Sequence, residues 1–66
     1  MAKVIGFPIE DFDRSQLDDM TDVQLNEVFL ENSNCISYDY IGDFFDDLNN
    51  DMVDTENNWW KIVNID

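Results

Sequence analysis

One stretch of the chain, from Tyr38 to Met52, intersperses large apolar residues with aspartates at the spacing of an amphipathic helix. At about 100° per residue, the apolar side chains share one arc and the aspartates lie opposite. We therefore predict a helix that packs on a core through one face and presents acid on the other. Its apolar face consists of Ile41, Phe44, Phe45, Leu48 and Met52, with Tyr38 at the edge. Its polar face consists of Asp39, Asp43, Asp46, Asp47 and Asn50.

The ends and the middle of this helix carry weaker signals. Either Ser37 or Asp39 can serve as its N-cap, and the run from Asn49 to Asp51 weakens its C-terminal end. Gly42 lies inside the helix at some cost in stability. Because it lies on the border between the two faces, it either admits a closely packed neighbour or is simply tolerated.

A second helix is predicted from Asp22 to Glu31. Thr21 is followed three residues later by Gln24, which is the pattern of a capping box. Its core-facing residues are Leu25, Val28 and Phe29. Ser15 and Asp18 form a similar but weaker start just before it, and the segment 8–20 otherwise predicts no regular structure beyond a turn.

Strands complete the prediction. The segment from Trp59 to Ile65 is rich in β-forming residues, and Lys3 to Phe7 is a short apolar run that ends at Pro8, which favours an edge strand. Cys35 to Ser37 is a third extended candidate. The sequence thus predicts a single α+β domain, residues 1–66: two or three short strands in a small antiparallel sheet, with two amphipathic helices packed on one face.

Charge excludes several functions. Sixteen acidic residues against Lys3, Arg14 and Lys61 give a net charge of −13, so the chain is not expected to bind nucleic acid or an anionic membrane directly. Hydrophobic residues still make up 44% and aromatic residues 14% of the chain, which is too much for a disordered acidic tail. We therefore expect a folded protein with a strong negative field.

The residues needed for most catalytic and metal sites are missing. One cysteine and no histidine exclude an internal disulfide and an ordinary zinc site, and Cys35 is expected to be a small buried hydrophobe. Acidic residues occur throughout, but without the alternation and glycine of a calcium loop. Gly6 and Gly42 cannot form a phosphate-binding loop. We expect no enzyme activity, no cofactor and no metal, and, since no signal peptide or transmembrane run is present, a cytoplasmic location.

The progression TDVQLNEVFLENSNCISYDYIGDFFDDLNND, followed by WWKIVNI, resembles small acidic proteins of uncharacterised function from gut Bacteroidales and their mobile elements. The resemblance extends from about Thr21 to Ile65. In composition alone, the chain is also similar to phage and plasmid proteins that imitate DNA. Neither resemblance implies a particular functional residue.

Two functions follow from these patterns. The first is an acidic inhibitor or decoy, a monomer or homodimer, that blocks the basic nucleic-acid-binding groove of a partner such as a nuclease, a restriction or CRISPR effector, or a transcription factor. One helix supplies a charge about every 4–5 Å, which approximates one nucleic-acid strand. To imitate a duplex, the protein would need a dimer or a second acidic row, whose candidates are Asp18, Asp19, Asp22, Glu27 and Glu31. The expected acidic contacts are Asp39, Asp43, Asp46, Asp47, Asp51, Glu27 and Glu31.

The second function is a small protein-interaction domain that binds through exposed aromatic and apolar residues, while the acids only keep it soluble. Neighbouring residues of a strand point to opposite faces, so one of the two adjacent tryptophans is expected to lie outside the core covered by the helices. The candidate contacts of this apolar surface are Trp59, Trp60, Val23 and Leu30.

Overall fold

Three antiparallel strands form the central layer of the protein, and helices cover both of its faces. The computed structural model describes residues 2–65. The elements in chain order are β1 (Ala2–Pro8), α1 (Arg14–Asp18), α2 (Asp22–Glu31), β2 (Ile36–Tyr38), α3 (Ile41–Asn49) and β3 (Asn58–Asn64). The predicted α+β class and the small antiparallel sheet are confirmed.

The N-terminal strand β1 is the centre of the sheet and not its edge. The strand order is β2-β1-β3. β1 pairs with β3 from Ala2↔Asn64 to Pro8↔Asn58, and with β2 around Ile5↔Ser37. The edge prediction was wrong because Pro8 only ends the strand, while the adjacent apolar residues before it are buried on both sides of the sheet, as in any strand covered on two faces.

One face of the sheet carries the main core. Ile5 and Phe7 of β1 and Val63 of β3 point to this face and pack with Leu17 of α1 and Leu25 of α2. Cys35 belongs to the same cluster and is buried, as expected. Burial of this thiol, together with the charge of Asp11, raises the pKa of Cys35.

The opposite face of the sheet carries α3. Val4, Gly6 and Trp60 point to this face, because they alternate with the core residues along β1 and β3. The ring of Phe44 in α3 lies 5.3 Å from that of Trp60. The two long helices are therefore on opposite faces of the sheet, and the prediction that both pack on one face was wrong in this respect. The sequence gives each helix an apolar stripe but does not say which face receives it.

The helix α2 begins and ends where the sequence predicts. The hydroxyl of Thr21 accepts a hydrogen bond from the Gln24 N–H at 3.2 Å, and the Gln24 side chain accepts one from the Thr21 N–H at 2.9 Å. The weaker start at Ser15 is not used. Instead, the single-turn α1 begins after Asp13, whose N–H donates to the Gln16 side chain at 3.3 Å.

The helix α3 is shorter than the predicted stretch from Tyr38 to Met52. Tyr38 belongs to β2, so neither Ser37 nor Asp39 caps the helix, and Tyr40 occupies the N-cap without a side-chain hydrogen bond. The helix ends in a Schellman turn: the Asp51 N–H donates to Leu48 O at 3.3 Å and the Met52 N–H to Asp47 O at 2.9 Å. The backbone needs a left-handed residue there, and Asp51 supplies it with φ 55°.

Candidate protein-binding surface

An aromatic cluster holds α3 against the sheet. The rings of Tyr38, Phe44 and Trp60 lie 5.3–5.8 Å apart in tilted or edge-to-face arrangements. The indole N–H of Trp60 also donates to the backbone carbonyl of Asp54 at 2.9 Å, which ties the loop after α3 to β3. These contacts fix the orientation of α3, so its remaining side chains have defined positions.

Only part of the predicted apolar face of α3 reaches the core. Phe44 is buried and Ile41 is half-buried, but Phe45, Leu48 and Met52 are 47%, 37% and 69% exposed. The prediction that this whole arc makes core was therefore wrong. The helix has nine residues and the sheet three strands. Because Tyr38 and Trp60 already fill the space beside Phe44, only this one large side chain of the helix fits against the sheet.

The aspartates around α3 form an exposed acidic group that we call the α3 acidic surface. Its exposed members are Asp39, Asp43, Asp46 and Asp51. Asp47, which was predicted to point outward with them, is half-buried instead and accepts a hydrogen bond from the Tyr38 hydroxyl at 2.7 Å. This bond to a carboxylate, with some burial, raises the pKa of Tyr38.

Of the three positive side chains, only Lys3 lies near this surface in the described chain, because it lines the same surface pocket as Asp39. Arg14 and Lys61 both contact the same carboxylate, Asp18, at 3.7 and 2.6 Å, and the hydrogen bond from Lys61 is the main reason that the pKa of Asp18 is lowered. Lys3 lies over the ring of Phe29 on α2, 4.5 Å from its centroid. Between residues 2 and 65, no aspartate of the α3 acidic surface has an ion-pair partner.

Several of these acids occupy positions that weaken the helix. Asp46 and Asp47 are in the last turn of α3 and Asp51 follows it, where the partial negative charge of the helix end repels carboxylates. The hydrogen bond from Tyr38 compensates for this at Asp47. No such compensation exists at Asp46 and Asp51 among the described contacts, so their charge lowers the local stability of the helix end.

The loop that follows α3 carries two further exposed acidic residues, Asp54 and Glu56. Asp54 Oδ1 accepts hydrogen bonds from the backbone N–H groups of Glu56 and Asn57 at 3.0 Å, and the Asn57 side chain donates to Asp54 Oδ2 at 3.0 Å. These bonds stabilise the ionised carboxylate and lower the pKa of Asp54. Glu56 is exposed beside it. The carboxylate of Asp54 therefore holds the loop in a defined conformation.

The other predicted acidic residues lie elsewhere. Glu27 and Glu31 are exposed on α2, which packs on the opposite face of the sheet, so they do not join the α3 acidic surface. The second row that a duplex imitation requires is also incomplete. Asp18 is bound to Lys61, and Asp22 Oδ2 accepts a hydrogen bond from the Asn64 N–H at 3.1 Å.

The four residues of the predicted apolar surface do not form one surface either. Trp59 is half-buried against the main core, and its indole N–H donates to Phe12 O at 3.0 Å. Trp60 is covered by α3 on the other face. Val23 and Leu30 are 63% and 70% exposed on α2, so these two remain available for binding.

Sequence reasoning missed the exposed apolar residues on the α3 side of the molecule. Besides those of α3 itself, they are Ile36, Tyr40 and Ile62. A signal was present for α3, because five large apolar residues on one helix are more than a sheet of this size can cover. For Ile36 and Ile62 no signal existed, since alternation along a strand does not show how far a helix covers the face.

The described residues hold no group of three or more histidine, cysteine, aspartate or glutamate side chains placed to bind a metal ion. Within residues 2–65, every helix is too short or too polar to cross a membrane. No protein-family model, curated protein or solved structure matches the chain. The resemblances suggested by the sequence therefore stay predictions, and function has to be argued from the surface itself.

Proposed function

We propose that this protein acts as an inhibitor or decoy that occupies the basic nucleic-acid-binding groove of a partner protein in the cytoplasm. A nuclease, a restriction or CRISPR effector, or a transcription factor has such a groove. The observation that carries the proposal is the α3 acidic surface, whose exposed carboxylates lack ion-pair partners among residues 2–65 and, at Asp46 and Asp51, oppose the helix dipole. Local rules are most often broken where function requires it.

The spacing of these acids suits a short stretch of one nucleic-acid strand. Asp43 and Asp46 are about 4.5 Å apart along the helix axis at 1.5 Å per residue, compared with about 3.4 Å between phosphates along one strand of DNA. Because Glu27 and Glu31 lie on the opposite face of the sheet, they cannot form a second row of acidic side chains beside α3. The proposed decoy therefore acts as a monomer that fills a few phosphate positions and covers neighbouring ones by its bulk.

The net charge of −13 supports the same function through its long-range field. A charge of this size steers a basic partner into encounter and repels nucleic acid. The protein would thus act by binding alone, without catalysis or a cofactor.

The proposal is tested by capturing partners from lysate at low salt and releasing them at high salt. A captured nucleic-acid-binding protein should lose DNA or RNA binding when this protein is added in equal amount, and excess nucleic acid should displace the protein. The proposal fails if the captured partner binds nucleic acid and this protein at the same time, because the two would then use different sites.

Charge-matched variants localise the effect. The α3 variant carries Asp43→Asn, Asp46→Asn and Asp51→Asn. The control variant removes the same charge from exposed positions of α2 and the α1 C-cap, with Asp19→Asn, Glu27→Gln and Glu31→Gln. Inhibition should be lost in the α3 variant and kept in the control. Equal loss in both would mean that only net charge matters.

A second function is supported by the exposure of Val23 and Leu30 on α2. In that case the protein is an interaction domain whose binding energy comes from apolar contacts on this helix, and the acids provide solubility. Val23→Ser with Leu30→Ser should then abolish capture of the partner, while the α3 charge variant should bind normally. Trp59 and Trp60 are poor test positions, because truncating either would also disturb the packing of the sheet.

A further inference from the structure

The exposed apolar residues of α3 form a stripe next to the acids, which we call the α3 apolar stripe: Phe45, Leu48 and Met52. Phe45 and Leu48 are three residues apart in α3, a spacing that makes two side chains neighbours on a helix surface. Phe45 and Leu48 lie within α3, and Met52 is held at its end by the hydrogen bond from its N–H to Asp47 O.

Little within the described chain covers this stripe. The ring of Phe45 contacts that of Phe44 at 5.6 Å, which places it at the margin of the aromatic cluster. Met52 follows a Schellman turn, where an apolar residue commonly contacts the third or fourth residue from the helix end. Those positions hold Asp47 and Asp46, so the side chain of Met52 stays largely in solvent. A row of large apolar side chains exposed in this way is typical of a binding surface.

The charges around the stripe indicate what would bind it. Asp46 and Asp51 lie on the same short segment and are exposed, and no lysine or arginine occurs between residues 15 and 60. An occupant must therefore bring apolar side chains for the stripe and positive charges for its acidic border. Exposed apolar side chains on one face of a helix fit well against another helix, whose side chains pack between those of the first.

We propose that the α3 apolar stripe docks a basic amphipathic helix of the partner protein, with the partner's apolar face on Phe45 and Leu48 and its lysines or arginines against Asp46 and Asp51. This inference rests on the proposed function and specifies it: the partner's groove is bordered by, or built on, such a helix. Apolar contact supplies affinity at the centre, and the charges set orientation and rate of encounter.

A second copy of this chain is a poor occupant. Two such stripes face to face would bring together two chains that each carry −13, with their acidic borders in contact. A stable dimer buries at least about 1,200 Å², whereas α3 is only about 14 Å long at 1.5 Å per residue. Self-association would have to overcome repulsion with very little area.

The test uses three probes with the intact protein. The first is a leucine–lysine peptide of about four helical turns with its leucines on one face; the second has the same composition in scrambled order; the third is polylysine. Binding is measured by calorimetry, and melting curves check that each variant is folded. The amphipathic peptide should bind at least about tenfold more tightly than the scrambled one, as expected when apolar anchors are buried.

Two variants locate that binding. Phe45→Ser with Leu48→Ser should remove the preference for the amphipathic peptide, and the matched control Val23→Ser with Leu30→Ser on α2 should keep it. If the first variant is unfolded, Met52→Ser, which alters a residue outside the helix, should still weaken the preference. The inference is overturned if both peptides bind the wild type equally, if the α2 control loses as much, or if sedimentation shows a wild-type dimer that the stripe variant dissociates.

Polylysine separates this inference from the proposed function. Its binding depends on charge and not on the stripe, so it should weaken with the α3 charge variant and stay unchanged with Phe45→Ser and Leu48→Ser. If polylysine binds the α3 charge variant as tightly as the wild type, the proposed function fails. If it responds to charge while the two peptides do not differ, only the helix-docking inference fails.

Discussion

The backbone conformation of Asp51 lowers the stability of the folded protein. Among residues 2–65 it is the one non-glycine position with positive φ, at 55°. A side chain in the left-handed region costs about 1–2 kcal/mol, less for aspartate and asparagine than for most residues. The carboxylate also lies at the unfavourable end of the α3 dipole.

We therefore expect Asp51→Gly to stabilise the protein by about 1 kcal/mol, measured by urea denaturation. Asp51→Ala is the control, because it removes the charge but keeps a Cβ atom in the left-handed region. It should gain clearly less than glycine. If alanine stabilises as much as glycine, the charge and not the backbone conformation determines the cost.

The hydroxyl of Tyr38 gives a pH dependence with a definite sign. Its pKa is raised in the folded state from 10.0, mainly by the hydrogen bond to Asp47. Above pH 10 the unfolded chain releases this proton while the folded chain keeps it, so stability is fully present below that pH and falls above it. The pKa of the Cys35 thiol is also raised in the folded state, from 9.0, so its ionisation likewise lowers stability as the pH rises above that value.

The ordinary pKa values of the Cys35 thiol and the Tyr38 hydroxyl are 9.0 and 10.0. The free energy of unfolding should therefore decrease as the pH is raised from about 8 to about 11. In Tyr38→Phe, which keeps the ring packing, the decrease above pH 10 should be smaller, because only the contribution of Cys35 remains. An unchanged decrease in that variant would show that the hydrogen bond from Tyr38 to Asp47 does not couple ionisation to folding.

At the scale of elements, the two glycines have opposite roles. A Cβ atom at Gly6 in β1 would lie 2.8 Å from the indole of Trp60 and 3.1 Å from Ile36, whereas at Gly42 in α3 nothing lies within 4 Å. The sequence left open whether Gly42 admits a close neighbour, and the structure shows open space there.

We expect Gly6→Ala to destabilise the protein by about 1–3 kcal/mol because it overpacks the contact between sheet and α3. Gly42→Ala should stabilise it by up to about 1 kcal/mol through helix propensity. Thermal melting of both variants provides the check. A stable Gly6→Ala protein would mean that Trp60 can move and that the aromatic cluster does not fix α3.

These elements also show what sequence could and could not predict. The capping residues Thr21 and Gln24 define α2 locally, and the pairing of β1 with β3 follows from two apolar runs that need each other. The start of α3 was placed too early because Tyr38 belongs to β2, and the extended candidate from Cys35 to Ser37 did not show that the strand continues to Tyr38. The separation of α2 and α3 to opposite faces likewise depends on the whole sheet, and with it the division of the predicted acidic residues into two groups.

At the scale of the whole molecule, net charge opposes folding. Of sixteen acidic residues, Asp18 alone has ion-pair partners among the described contacts. The Debye length falls from about 10 Å at 0.1 M salt to about 3 Å at 1 M, so screening relieves repulsion. The melting temperature should rise with sodium chloride, and less so in the α3 charge variant than in the wild type. A flat or falling curve would show that the acids do not repel one another appreciably.

The proposed function requires that the α3 acidic surface, and not the net charge alone, binds the partner. The most direct test is the affinity for the captured partner as a function of salt, for the wild type, the α3 charge variant and the charge-matched control. We expect steep weakening with salt in the wild type and the control, and a weaker affinity with a shallower salt dependence in the α3 variant. Identical salt dependence and affinity in the two charge variants would show that the α3 acidic surface is not the binding site.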